Sequence, residues 1–143
     1  MPLTTPLIKV SATKSYGADV VLHGANYDEA CEEAVRRSEQ FGMTFIHPFD
    51  DEVVIAGQGT MGLEILEQVP DVEAIIAPIG GGGLISGVAC AVKESKADVR
   101  VIGVQPARLP SMKVAIAEGH PVTLSPAATI ADFHERYERE YTY

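Results

Sequence analysis

The sequence predicts an open α/β fold, a mostly parallel sheet built from βαβ units. Three observations carry the prediction. Short apolar runs alternate with longer stretches of helical period along most of the 143 residues. Capping residues and single glycines punctuate the boundaries between them. Between residues 73 and 104, two strand-like runs flank a small-residue helix, and four consecutive glycines lead into that helix.

The elements follow in order. Pro6 to Tyr16 reads as a helix closed by Gly17, and Asp19 to Leu22 as a short strand. Asn26 caps the next helix, with Glu29 three residues on. Its expected buried stripe is Ala30, Cys31, Ala34, Val35 and Phe41, stopped by Gly42. Thr44 to Ile46 reads as a second strand, ended by His47-Pro48. A helix is expected from Thr60 to Gln68, with Met61, Ile65 and Val69 on one line and Leu63 and Leu66 beside it. Strand Glu73–Ala77, the glycine turn, helix Leu84–Ser95 and strand Arg100–Val104 complete a set of four expected parallel strands. At the C-terminus Phe133, Tyr137 and Tyr141 recur every four residues, and Glu135 and Arg136 face Arg139 and Glu140 at the same spacing. That pattern predicts a short amphipathic helix, which must dock or fray.

Composition bounds the function. A formal charge of −9 and a pI near 4.8 disfavour nucleic acid and anionic membrane surfaces as partners. No apolar run approaches a membrane span. Cys31 and Cys90 fall inside helical patterns and read as small thiols of a reducing, cytoplasmic setting.

The glycine turn, Gly80, Gly81, Gly82 and Gly83, followed by Leu84, is the candidate binding site. A helix starting there leaves amide donors unpaired at the positive end of its dipole, which suits a phosphate. The plainer reading is a tight strand-to-helix turn, but such turns rarely need more than one or two glycines. Gly57-Gln58-Gly59-Thr60-Met61-Gly62 also satisfies G-x-G-x-x-G, with Val53-Val54-Ile55 posing as a preceding strand. A dinucleotide site would need an acidic residue at the end of the next strand, yet the following runs end in Pro78-Ile79-Gly80 and Val104-Gln105. A Rossmann-type nucleotide site is therefore the weakest reading, and close helix packing the better one. His23, His47, His120 and His134 lack metal-ligand spacing. Glu29, Glu32, Glu33, Arg36 and Arg37 read as a solvated helix face.

The residues also carry a resemblance. Pro78-Ile79-Gly80-Gly81-Gly82-Gly83-Leu84 resembles the phosphate loop of fold-type II pyridoxal-phosphate enzymes, which share the tryptophan synthase β-like fold. Thr44-Phe45-Ile46-His47-Pro48-Phe49-Asp50-Asp51 and Ala56-Gly57-Gln58-Gly59-Thr60-Met61-Gly62-Leu63-Glu64-Ile65 narrow it to threonine/serine dehydratases (threonine deaminases). Val10-Ser11-Ala12-Thr13 with Tyr16-Gly17-Ala18, Val101-Ile102-Gly103-Val104 and Ala128-Thr129-Ile130-Ala131-Asp132 agree. The resemblance implies pyridoxal 5′-phosphate as cofactor, held by Gly80 to Leu84, and threonine or serine as substrate. It places residues 1–50 in a small domain and 51–132 in a large phosphate-binding one, with 133–143 as a tail outside the family pattern. Gln105 stands where some relatives hold a divalent cation with a glutamate; a neutral amide suits a hard cation poorly, so no metal is expected.

The resemblance further implies a Schiff-base lysine in a serine-phenylalanine-lysine-x-arginine-glycine motif, upstream of Met1. None of Lys9, Lys14, Lys93, Lys96 and Lys113 sits in such a motif, and Phe133 replaces a glycine of the family. The chain is thus expected to be an internal part of such an enzyme, with no catalytic residue of its own. Two function classes stay open: a dehydratase-like part that is inactive alone, and a non-catalytic anion-binding or oligomerisation module. Strands lacking their family neighbours predict unpaired edges and a homo-oligomer.

Overall fold

A computed structural model of the chain describes residues 1–124 and 139–142. It divides into two compact units, Met1–Ile46 and His47–Tyr143.

In the first unit, α1 (Leu7–Ser15) follows Pro6, and the chain turns away through Gly17 at φ 83°. The second helix, α2 (Tyr27–Phe41), starts as the sequence predicts. Asn26 Oδ1 accepts from the Glu29 amide at 3.0 Å, and Glu29 Oε2 accepts from the Ala25 amide at 2.8 Å. Gly42 ends it in the left-handed region, with the Met43 amide donating to Ser38 O at 2.9 Å.

The two strands expected in this unit do not form. Residues 21–24 run beside the N-terminus, where the Met1 ammonium donates to Val21 O at 2.8 Å and the His23 amide to Met1 O at 2.9 Å. These bonds satisfy individual groups without making a ladder. Thr44–Ile46 belongs to no ladder either. An extended segment becomes a strand only beside a neighbour that matches its donors and acceptors over several residues. The expected stripe of α2 is also less buried than its periodicity suggests: Phe41 is 60% exposed and Val35 37%. Val10 supplies the buried apolar side chain of this unit among the described residues, so α2 has little to pack against.

The second unit holds the sheet. α3 (Glu52–Gln68) begins eight residues before the expected Thr60, because Asp51 Oδ1 accepts from the Val53 and Val54 amides at 2.9 and 3.0 Å. Val53-Val54-Ile55 is therefore a first helical turn, and the cap outweighs the β-branched run. β1 (Ala74–Pro78), α4 (Gly83–Ser95) and β2 (Arg100–Gln105) form the predicted βαβ unit, with β1 and β2 parallel in the register Ala74 to Arg100 through Pro78 to Val104. α5 (Ser111–Glu118), absent from the sequence expectation, lies between Pro110 and Gly119 at φ 75°.

β3 (Arg139–Thr142) pairs antiparallel with β2, Ile102 opposite Thr142 and Gln105 opposite Arg139. The sheet thus has two parallel strands and one antiparallel strand, where four parallel strands were expected. The C-terminal helix expectation fails over 139–142, where the backbone takes up the outer edge of β2; residues 125–138 and 143 lie outside the described set.

The core joins Ile75, Ala77, Ile79, Ile85, Val88, Val92, Val99 and Val101, with Ile65, Leu66 and Met112 at its margin. Along α3 the face turned to α4 is not the Met61–Val69 line, whose ends are 47% exposed. It is the glycine line instead. A Cβ on Gly59 would stand 3.0 Å from Gly87 O, and one on Gly62 would stand 3.1 Å from Val88 O. Glycines on both helices let the two backbones approach more closely than side chains would allow.

Candidate functional site

The glycine turn joins the carboxyl end of β1 to α4, where ligand sites of open parallel sheets lie. Ile79 anchors its first side: the Ile79 amide donates to Val104 O at 2.7 Å, and the side chain is buried. Gly82 is the N-cap of α4, at φ 96°, a conformation L side chains rarely adopt. No side chain caps this helix, and the first intrahelical bond runs from the Ser86 amide to Gly82 O at 2.9 Å.

The amides of Gly83, Leu84 and Ile85 form the first turn, ahead of that bond. Gly83 and Ile85 are buried and Leu84 half-buried. Uncapped donors of this kind, at the positive end of a thirteen-residue helix, are chemically matched to a phosphate. The donor set therefore fits the phosphate group of a phosphorylated cofactor, through backbone N–H groups that need no cationic side chain.

The glycines answer to packing as well. A Cβ on Gly81 would enter the ring of Phe49, and one on Gly83 would stand 2.7 Å from Phe49 O. On the other side, a Cβ on Gly82 would stand 2.5 Å from Met112 Cε. Gly80 alone of the run has nothing within 4 Å. The turn is thus gripped by Phe49 and Met112, and both the ligand reading and the tight-turn reading contain part of the explanation.

Phe49 is placed by its own turn. His47 Nδ1 accepts from the Asp50 amide at 2.8 Å, and its ring meets the Phe49 ring edge-on with centroids 4.7 Å apart. His47 accordingly acts as a turn acceptor. Sequence reasoning flagged His47-Pro48 as a strand exit but gave no role to Phe49 or Met112, which come together only through the fold.

The remaining candidates separate from this turn. Gly57, Gly59 and Gly62 lie inside α3, so the G-x-G-x-x-G pattern is not a phosphate loop, and close helix packing accounts for Gly59 and Gly62. Gln105, 1% exposed, points its amide oxygen at the Lys113 amide, 2.9 Å away, and so caps α5. Lys93 and Lys96 belong to the far end of α4, where their ammonium groups donate to Ala97 O and Pro70 O. Among the described residues no three His, Cys, Asp or Glu side chains gather as metal ligands. Cys31 and Cys90 are free thiols.

In the first unit, Glu33 receives the guanidinium groups of Arg36 and Arg37, each at 2.7 Å. Those hydrogen bonds pull its carboxyl down to about 2. Tyr27 is pushed up to about 12, first by burial and then by the Cys31 thiol it meets. A hollow of about 280 Å³ lined by Asp19, His23, Glu33 and Arg37 lies in this unit. Its strongest charges are spent on each other.

Comparison with known proteins places the chain. The family model described as pyridoxal-phosphate dependent enzyme matches residues 1–138. The chain is 52% identical over 132 residues to the L-threonine ammonia-lyase of Geobacter sulfurreducens, covering 92% of this chain and 33% of that protein. It is 48% identical to the chloroplastic biosynthetic threonine dehydratase 2 of Solanum lycopersicum, covering 92% of this chain and 22% of that protein. Among solved structures it superposes on the processed threonine deaminase isoform 2 of Solanum lycopersicum with a TM-score of 0.82 at 48% identity, covering 92% and 38% of the two chains. Maize serine racemase gives a TM-score of 0.82 at 39% identity, covering 92% and 40%. The chain thus spans about a fifth to two fifths of these relatives. With the phosphate-matched turn at the end of β1 and a family match over nearly its whole length, the chain belongs to the pyridoxal-phosphate dependent enzyme family.

Proposed function

We propose that this chain is the phosphate-holding part of a threonine/serine ammonia-lyase, and that it does not deaminate either amino acid by itself. The observation that carries the reading is the uncapped first turn of α4 behind four glycines, on a chain about half identical to L-threonine ammonia-lyases. When bound, pyridoxal 5′-phosphate supplies an electron sink for loss of the α-proton and departure of the β-hydroxyl group, giving a 2-oxo acid and ammonia. Gly80 to Gly83 and Leu84 are the residues we assign to its phosphate. The amides of Gly83, Leu84 and Ile85 orient that group, and Phe49 and Met112 hold the turn in shape. Residues 1–50 are assigned to a small domain and 51–132 to the large one.

A second reading, a non-catalytic anion-binding or oligomerisation module, is favoured by the lysines. Lys93 and Lys96 sit at the far end of α4 from the turn, and none of the five lysines lies in the motif that the resemblance implies. Orientation of reacting groups contributes roughly 7 kcal/mol or more to such chemistry, so a lysine in the wrong place leaves only background rates. The edge of β1, unpaired among the described residues, and the 64% exposed Ile76 support a homo-oligomer. The free thiols suit the cytoplasm, where we place the protein.

The test adds pyridoxal 5′-phosphate and L-threonine to purified chain and follows 2-oxobutanoate alongside cofactor absorbance. Bound cofactor without turnover is the expected result. Turnover above that of free cofactor, abolished by replacing one particular lysine, refutes the inactivity.

A further inference from the structure

Gln105 is the buried polar side chain among the described residues, 1% exposed at the last position of β2. Burying a carboxamide is costly unless its polar atoms are used. Here its oxygen accepts from the Lys113 amide at 2.9 Å, in the first turn of α5. That helix needs the acceptor, because Pro110 at its N-cap position offers no side-chain hydrogen bond. The adjacent residue, Met112, packs on the core margin, and its Cε comes to 2.5 Å from where a Cβ of Gly82 would stand. A continuous line therefore runs from the end of β2 through the Gln105 carboxamide, the first turn of α5 and Met112 to the left-handed glycine that opens α4.

We propose that Gln105 is a positioning residue of the anion site: by capping α5 it keeps Met112 against Gly82, and so fixes the amides of Gly83 to Ile85 for a phosphate group. This rests on the anion-binding reading above. The position thus serves a helix cap in this chain.

The experiment titrates inorganic phosphate into the isotope-labelled full chain and follows the amide resonances of residues 80–86 and Lys113. Gln105→Met keeps the volume and the burial but removes the acceptor. It is expected to weaken phosphate binding about fivefold, the scale of losing one helix cap, and to speed hydrogen exchange at the Lys113 amide more than at the core amides of Val88 and Val92. Met112→Ala is expected to weaken binding too while leaving the Lys113 amide protected.

Wild-type binding with an unchanged Gln105→Met variant overturns the positioning role alone. A Met112→Ala variant that binds like wild type overturns the route through α5. A loss of affinity that merely tracks a fall in thermal midpoint shows ordinary core packing and refutes the proposal. If phosphate moves no amide even in the wild type, the anion reading falls, and the proposal with it.

Discussion

Gly87→Ala tests whether the seam between α3 and α4 is as close as described. The new Cβ would run into Ile55 O and stand 2.7 Å from the Gly59 nitrogen and 2.9 Å from Gln58 Cβ. Two of these three neighbours are helix backbone, which cannot rotate aside, so α3 and α4 must separate. Overpacking that shifts backbone costs about 3 kcal/mol, the upper part of the usual range. Alanine returns up to about 1 kcal/mol of helix propensity over glycine. The net expectation is a loss of about 2 kcal/mol, or about 30-fold faster opening.

Native-state hydrogen exchange at the Val88 and Val92 amides reads that opening directly, within the unit that contains the seam. Gly57→Ala is the matched control. It lies in the same α3, but a Cβ there meets nothing within 4 Å. It should stabilise by about 0.5–1 kcal/mol through propensity alone. A Gly87→Ala chain that exchanges no faster than wild type refutes the close seam. Opposite signs for the two substitutions support it.

Three further outcomes are expected. Gly82→Val should abolish phosphate shifts at Gly83 to Ile85 with the rest of the spectrum retained, because φ 96° excludes a β-branched residue and Met112 already fills the space; retained binding counts against the site. The Glu33 carboxyl carbon should titrate near pH 2; its folded value lies below the ordinary 4.5, so its contribution to α2 is complete above pH 4.5 and is lost as pH falls through about 2. Replacing Arg36 and Arg37 together by Gln should return that midpoint toward 4.5. Solution scattering should report an oligomer, and a monodisperse monomer refutes association through the edge of β1.

The βαβ unit was legible in the sequence because each of its parts has a local cause. Four glycines mark the turn and apolar runs mark β1 and β2; outside that unit, Asn26 with Glu29 likewise marks the start of α2. The failures share a cause too, since they depend on partners that a local pattern does not contain. Thr44–Ile46 has strand chemistry but no ladder. Val53-Val54-Ile55 reads as strand until Asp51 is recognised as a cap, and an aspartate preceding Glu52 was the signal available. The close packing read from Gly59 and Gly62 is present, inside α3 rather than at a helix start; Gly87 as its partner on α4 was not readable, because glycine carries no apolar weight in a periodicity count. Pro110-Ser111 and Gly119 bracket α5 and offered a boundary signal. Of the candidate site, the glycines were readable, whereas Phe49 and Met112 are brought to them only by tertiary structure.

One detail of β1 bears on how the protein survives at high concentration. The Ile79 amide and the Glu73 carbonyl both bond toward β2, so the backbone groups of odd-numbered residues face inward and those of Ala74, Ile76 and Pro78 face out. Proline has no N–H, so at its last position the outer rim offers an acceptor without the donor that a neighbouring strand's carbonyl would need. A second chain laid along Ala74 and Ile76 finds donors there and then runs out of them. Pairing at this rim is therefore weakened at its carboxyl end, and replacing Pro78 by valine should strengthen edge-to-edge pairing and raise the aggregation of the chain on heating.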